Sequence, residues 1–351
     1  MSSKTRFLDL AMHGGCSKKV GGKDLQRLLS NLADSETDHQ FSEIKGWLDF
    51  GLYERKDEAL ISNVDIVLPM VPNPADFGEI VVAHVLSDIY TSGAKPLFGL
   101  NILGVQQTID LSSNGNDIKL MLASAAKKLH SAGAQLVGGH SIGNQSDLYY
   151  GLAVFGIINK DSLVTNKGAK TGDALVLTKP LGTSIASKLW KSNHHLENDF
   201  QDVLTGMKQL NDIAAEEMLK GQAHACTDIT GFGLLGHTHN LLRASEAACV
   251  INVENLPIYD SVQDFGGAEY QTMIFDKNKE YVVDYVNDDD VELTSLLDVV
   301  IYDAQVSGGL LVSLTHEEAG KYVERLRDRG VTASIIGEVV EGQAGYITLL
   351  P

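Results

Sequence analysis

The segment Met12-His13-Gly14-Gly15-Cys16-Ser17-Lys18-Lys19 puts a thiol, two lysines and two adjacent glycines into one short stretch. A neighbouring cation lowers the pKa of a thiol and favours the reactive thiolate. A lysine ammonium is a compact charge suited to phosphate. Cys16 and Lys19 therefore suit the two halves of one reaction, a soft atom on one side and a phosphate on the other. Taken alone, the same residues also read as a loose N-terminal tail with an incidental cysteine.

Carboxylates are the commonest candidate groups elsewhere. Asp49, Asp65, Asp88 and Asp228 each stand beside the end of a predicted element. Asp88 falls near the C-terminal end of a helix, where a negative charge opposes the helix dipole. A metal ion there, or simple solvation, would relieve it. Ala225-Cys226-Thr227-Asp228-Ile229-Thr230-Gly231-Phe232-Gly233 reads as a strand ending in Asp and turning through glycines into a helix. That arrangement lets Mg²⁺-phosphate be held from both sides, and an N-cap aspartate is the plainer alternative. Gly138-Gly139-His140-Ser141 follows a short predicted strand. It predicts a turn whose backbone N–H groups meet an anion, or only a tight turn. There is no Ser/His/Asp order and no H-E-x-x-H, and Lys179-Pro180-Leu181-Gly182-Thr183 lacks P-loop spacing. Several carboxylates, a lysine and glycine turns suit metal-assisted phosphoryl transfer.

The elements that must position these groups follow from the pattern of apolar residues. Leu25, Leu28, Leu29 and Leu32 predict a short helix. Asp49–Tyr53 and Ala59–Leu68 predict a hairpin with a carboxylate at each end. Pro72 and Pro74 end it. A helix with Phe77, Val81, Val85 and Ile89 on one stripe follows. Further strands are expected at 97–105, 135–137 and 150–158, with a helix over 116–132. After a boundary near 160–172, strands are expected at 175–178, 225–228, 249–253, 299–302, 333–340 and 346–350. One helix is expected over 201–220 and another over 317–329. Residues 280–287 read as strand or irregular. The expected organisation is a flexible glycine-rich head (1–21), an N-terminal domain (22–160), to which the family resemblance given below assigns ATP and Mg²⁺, and a C-terminal α/β domain (161–351).

The 351 residues suffice for two domains. No apolar run approaches a membrane span, and the first residues predict no secretory signal. Three scattered cysteines form no disulfide framework and no zinc motif, which fits a reducing, cytoplasmic setting. A formal net charge of −18 with no basic patch disfavours nucleic acid. Bridging Mg²⁺ still allows a nucleotide.

Several of these stretches, in this order, resemble the selenophosphate synthetase family of the aminoimidazole ribonucleotide synthetase-like superfamily. They are Gly15-Cys16-Ser17-Lys18-Lys19, Val64-Asp65, Ala75-Asp76-Phe77-Gly78, Leu86-Ser87-Asp88-Ile89-Tyr90, Gly138-Gly139-His140-Ser141-Ile142, Thr227-Asp228-Ile229-Thr230-Gly231-Phe232-Gly233 and Gln305-Val306-Ser307-Gly308-Gly309. The resemblance runs over nearly the whole chain. It implies ATP-dependent conversion of hydrogen selenide and water to selenophosphate, AMP and orthophosphate. It implies Cys16 and Lys19 as catalytic residues and Asp49, Asp88 and Asp228 as Mg²⁺ ligands. Lys19, Asp65, Asp88, Gly139, His140 and Ser141 are implied ATP contacts. The implied fold is α/β (α+β), with two domains in a homodimer and the N-terminal sheets of two subunits forming a shared barrel.

The chain departs from the family pattern at several places, including a poor match around Gly266-Gly267-Ala268-Glu269. Lys18 stands where a second Cys is usual, and Leu48-Asp49 where a tandem Asp pair is usual. Asp303-Ala304-Gln305-Val306-Ser307 replaces Asp-Pro-Gln-Thr-Ser. An ATP-binding paralogue acting on another small substrate, or a non-catalytic nucleotide sensor, is the alternative those changes raise.

Overall fold

The computed structural model describes residues 5–15, 20, 23–24, 48–107, 109, 111–192 and 199–351. Cys16, Lys18 and Lys19 lie outside the described residues, as does the helix expected over 25–32.

β1 (Gly51–Arg55) and β2 (Glu58–Val67) form the expected antiparallel hairpin, with Arg55 opposite Glu58. β2 alternates in faces. Ile61 and Val67 point inward and are fully buried, while Val64 and Ile66 point outward and are largely exposed. α1 (Pro74–Thr91) starts where Asn73 accepts a hydrogen bond from the Ala75 N–H at 2.8 Å, with proline in the first turn. It stops at Ser92 and Gly93, whose φ of +77° a side chain rarely adopts. The helix is apolar nearly all round because it is covered nearly all round. It packs on β2 and β5, on α2, and on α4 and β7 of the second half. Burying Phe77 alone contributes about 2–3 kcal/mol.

β3 (Lys95–Gln106), α2 (Leu111–Ser131), β4 (Gln135–Asn144) and β5 (Tyr149–Asn159) complete the first unit. The sheet order is β1-β2-β5-β3-β4, with only the β3–β4 pair parallel. Gly138-Gly139-His140-Ser141 was expected to be a turn. It is instead mid-strand in β4, paired to Leu100–Leu103. A register shift opposite Gly99/Leu100 absorbs the irregularity, and β3 supplies the backbone partners that a turn would otherwise supply.

The second unit comprises β6 (Asp173–Leu177), α3 (Thr183–Ser192), α4 (Gln201–Lys208), α5 (Asp212–Lys220), β7 (Ala225–Asp228), α6 (Gly233–Ala244) and β8 (Ala248–Asn252), followed by α7 (Phe275–Val282), β9 (Val286–Asn287), α8 (Ser295–Tyr302), β10 (Leu310–Thr315), α9 (His316–Asp328), β11 (Ser334–Val340) and β12 (Ile347–Leu350). Its sheet order is β7-β10-β6-β11-β8-β12-β9. Two expectations change here. The helix expected over 201–220 breaks at Gln209-Leu210-Asn211, because Asn211 turns its side chain to partners outside the helix. Val299–Tyr302 is helix rather than strand. Thr294 Oγ1 caps it by accepting from the Leu297 N–H at 3.2 Å, and the buried face packs on α6 and α7. A short apolar run has no periodicity to separate the two outcomes.

The N-terminal segment is built into this frame as far as Gly15, unlike the loose head expected from its composition. Phe7, Leu8 and Leu10 are buried, and the Leu148 N–H donates to Leu10 O at 2.7 Å. Gly15 pairs with Leu68, and a Cβ on it would lie 2.8 Å from Val306 Cγ2. The chain therefore enters Cys16 from a point braced on both halves of the molecule.

Candidate active site

The last two turns of α1 carry His84, Ser87 and Asp88, all buried. His84 Nδ1 accepts the Ser307 N–H at 3.1 Å. That bond leaves the imidazole proton on Nε2, which lies 3.5 Å from Asp65 Oδ2. Asp65 on β2 is thus joined through α1 to the loop preceding β10. Ser87 makes a parallel connection. Asn211 Nδ2 donates to Ser87 Oγ at 2.9 Å and to Gly308 O at 3.0 Å. The break between α4 and α5 is what aims Asn211 at both.

Lys179 follows β6 and is 3% exposed. Its Nζ donates to Gln209 O at 2.7 Å and to Ser307 O at 2.9 Å. Burial pushes its pKa down to about 7, with Lys128 adding to the fall and the carboxylates of Asp228 and Asp212 opposing it. Three segments distant in sequence therefore meet on one buried amine.

Asp228 closes β7 and is 1% exposed. It sits opposite Leu310, and Ile229 N–H donates to Gly309 O at 2.9 Å. Asp228 Oδ1 accepts from Thr230 Oγ1 at 3.4 Å. The N-cap of α6 is Phe232, so Asp228 is not a capping residue. His237 Nε2 accepts the Phe232 N–H at 3.3 Å and ties the glycine turn back to its own helix. The Cys226 thiol is pushed well up by burial, and further by the charges of Asp49 and Asp228. Burial also raises the Cys249 thiol, so neither buried cysteine is a nucleophile at neutral pH.

Among the described residues, no three His, Cys, Asp or Glu side chains converge closely enough to chelate a metal unaided. Mg²⁺ commonly takes one or two carboxylates together with phosphate oxygens and water. Buried Asp228 fits a metal whose shell a nucleotide completes. Asp65 and the 139–141 segment are not brought together within one chain. Asp65, Leu152, Asn101 and Gly139 form one row across β2, β5, β3 and β4. Three strand spacings separate its ends, roughly 14 Å. Gly139, His140 and Ser141 are exposed on the edge strand. Sequence reading did not single out His84, Lys179 and Asn211. The visible signal was a polar residue inside an apolar helix stripe, a lysine directly after a wholly apolar strand, and an Asn within a predicted helix.

Residues 48–158 match the family described as AIR synthase related protein, N-terminal domain, and residues 170–349 match its C-terminal domain. The selenide, water dikinase of Desulfitobacterium hafniense (strain Y51) is 35% identical over 344 residues, 98% of this chain and 99% of that protein. The selenide, water dikinase of Bdellovibrio bacteriovorus is 34% identical over 356 residues, covering 100% and 99%. Among solved structures, AaThiL complexed with AMPPCP and TMP superposes with a TM-score of 0.67 at 17% identity, covering 99% of this chain and 96% of that one. Hydrogenase maturation protein HypE in complex with ATP gives 0.63 at 18%, covering 98% and 94%. These two likenesses concern the fold. Full-length identity with the curated relatives goes further, and the junction just described lies inside both matched domains: this chain belongs to the selenide, water dikinase family of AIR synthase related proteins.

Proposed function

We propose that this chain converts ATP, hydrogen selenide and water into selenophosphate, AMP and orthophosphate. One observation carries the reading. The segment leading into Cys16 is braced on Val306, in the same loop that Lys179, His84 and Asn211 hold beside Asp228. Gly15, the residue before Cys16 in sequence, thereby belongs to the same neighbourhood as a carboxylate suited to Mg²⁺.

In this reading Cys16 as thiolate handles selenium, a soft atom matched to a soft ligand. The two other cysteines are buried with raised pKa values, so the task falls to Cys16. Lys19 neutralises phosphate charge. Asp49, Asp88 and Asp228 are the residues that would hold Mg²⁺, which would supply positive charge against the phosphates. Asp65, fixed by His84, and the Gly139-His140-Ser141 strand are assigned to ATP. Their separation across the sheet suits a site shared by two copies. The outward face of the first sheet exposes Val64, Ile66, Leu97, Val137 and Ile142, an apolar surface suited to a homodimer. No helix among the described residues is long and apolar enough to cross a membrane. We assign the enzyme to the cytoplasm because its chemistry needs a reduced thiol.

Anaerobic ³¹P NMR with Mg-ATP, with and without selenide, tests the reading. Selenide-dependent appearance of selenophosphate, AMP and orthophosphate is the expected result, and Cys16→Ser should abolish selenophosphate. ATP consumption without selenophosphate would replace selenide by another acceptor.

A further inference from the structure

Both units tie down the segment that leads to Cys16. Phe7–Leu10 forms a single 3₁₀ turn. From the first unit, Asn114 Nδ2 donates to Thr5 O at 2.8 Å, and the Leu148 N–H donates to Leu10 O. Asp147, buried in the loop between β4 and β5, accepts the Met12 N–H on Oδ1 at 2.8 Å. Asp147 is itself fixed. Asn144 at the end of β4 accepts its N–H at 3.1 Å and donates to its carbonyl at 2.9 Å. From the second unit, Lys191 in the last turn of α3 donates to Leu8 O and Ala11 O. Carbonyls at the C-terminal end of a helical turn lack partners within it and favour a cation. Burial draws the Lys191 ammonium below the ordinary lysine range, with Arg6 adding to the fall and the carboxylates of Asp9 and Asp147 opposing it.

The other end of α3 shows what Lys191 is referenced to. Gln305 Oε1 accepts the N–H groups of Gly182 and Thr183 and the Thr183 hydroxyl, each at 3.0 Å. Thr183 Oγ1 in turn accepts the Val306 N–H at 2.9 Å. α3 therefore begins on the loop that Lys179, His84 and Asn211 hold beside Asp228, and it ends on the N-terminal segment. The same loop meets that segment directly, since Val306 stands against Gly15. Attachment at two separate points fixes the direction of the segment as well as its position.

We propose that Lys191 is a positioning residue for the reaction: with Asp147 it clamps the backbone of residues 8–12, so that α3 carries the placement of the Asp228 junction to the segment bearing Cys16. Lys191 acts through that backbone and not on a substrate. The inference rests on the proposed reaction and adds to it the side chains that set where the thiol-bearing segment starts. A misplacement of about 1 Å can cost a reaction about a hundredfold. Asp65 and the carboxylates assigned to Mg²⁺ have their own supports, so nucleotide binding is spared when the clamp is cut.

Three variants of the full chain test it, Lys191→Met, Asp147→Ala and Asp147→Asn. Lys191→Met should lower kcat for selenophosphate about tenfold and leave affinity for a non-hydrolysable Mg-ATP analogue within about threefold. Asp147→Ala should act in the same direction. Asp147→Asn keeps an oxygen for the Met12 N–H and should recover most of the rate. A second readout needs no selenide. Cys226 and Cys249 are buried with raised thiols, so alkylation by iodoacetamide reads Cys16. The bound analogue should slow that alkylation several-fold in the parent chain, and the slowing should shrink in Lys191→Met. The thermal midpoint reports that each variant is folded. A kcat within twofold of the parent in both Lys191→Met and Asp147→Ala would overturn the clamp. So would a loss of analogue affinity as large as the loss of kcat, or the same nucleotide effect on alkylation in parent and Lys191→Met. Absence of selenophosphate with the parent chain sinks the reaction instead, and the alkylation ratio still decides the clamp.

Discussion

Two Gly-Gly pairs show how differently this molecule uses one dipeptide. Gly308-Gly309 lies at the crossing of β7, β10, the Lys179 connection and the break before α5. A Cβ on Gly308 would stand 2.0 Å from Ile229 O, and one on Gly309 would stand 2.4 Å from Lys179 N. Both obstacles are backbone, which cannot step aside. Gly138-Gly139 lies in an exposed edge strand, where a Cβ on Gly138 meets only Leu100 Cδ2 at 3.4 Å. The first pair admits backbone to backbone and so fixes where Asp228 stands. The second is divided: a Cβ on Gly139 would stand 2.4 Å from Asn101 O, so close strand pairing demands that glycine too, and only Gly138 leaves open surface on the edge. Polar residues divide the same way. Around Gly308, Lys179, Asn211 and His84 are buried and fully engaged, whereas His140 beside Gly139 is exposed.

The sharpest way to break the contrast is Gly308→Ala. The clash with Ile229 should cost about 4 kcal/mol or more, and a thermal melt would read it as loss of the cooperative transition. A normal melt would mean that β7 and β10 can part without penalty. Lys179→Met comes next. It strands the Gln209 and Ser307 carbonyls and removes a buried positive charge that interacts with Asp228, for a loss of about 3 kcal/mol in urea unfolding together with weaker Mg-ATP binding. An unaltered urea midpoint would reduce Lys179 to filler.

Asp303→Asn gives a smaller effect whose sign depends on pH. Burial raises the Asp303 carboxyl to about 6, against hydrogen bonds from Thr272 and Ala304 that favour the ionised form. An unfolded aspartate titrates near 3.9, so between those values the folded chain holds a proton that the unfolded chain has lost. Stability from this group is therefore full below about pH 4 and declines as pH rises through 6. The decline is about 3 kcal/mol, and the asparagine variant should lack it. Parallel pH profiles for the two proteins would refute the shift. Gly138→Ala is the opposite control. It should move stability by no more than about 0.5 kcal/mol, and a large loss would mean that the edge strand is as crowded as the junction.

Much of the frame was legible. The β1–β2 hairpin, the stripe of α1, the strand ending at Asp228 and the helix after it all follow from local pattern, because apolar period and glycine placement are local quantities. Val299–Tyr302 was misread as strand because four apolar residues carry no period, and only the cap at Thr294 and the packing of α6 and α7 select the helix. Gly138–Ser141 was misread as a turn because a strand edge next to glycine looks the same until β3 is seen alongside. His84, Lys179 and Asn211 escaped notice for a different reason. Their partners Ser307, Gln209 and Ser87 lie far along the chain, and hydrogen-bond partners at such range leave no mark in local spacing.

By itself, then, the sequence determined the chemical inventory: a thiol and a lysine in one short segment, aspartates at the ends of elements, glycines where backbone must turn or approach. The tertiary structure alone decided how that inventory is arranged. It set Asp228 opposite Leu310, engaged Lys179 with two loops, and spread Asp65 and Gly139 to opposite ends of a strand row. The physical reason is that side-chain period determines which face a residue occupies, whereas what covers that face depends on contacts between segments a hundred or more residues apart.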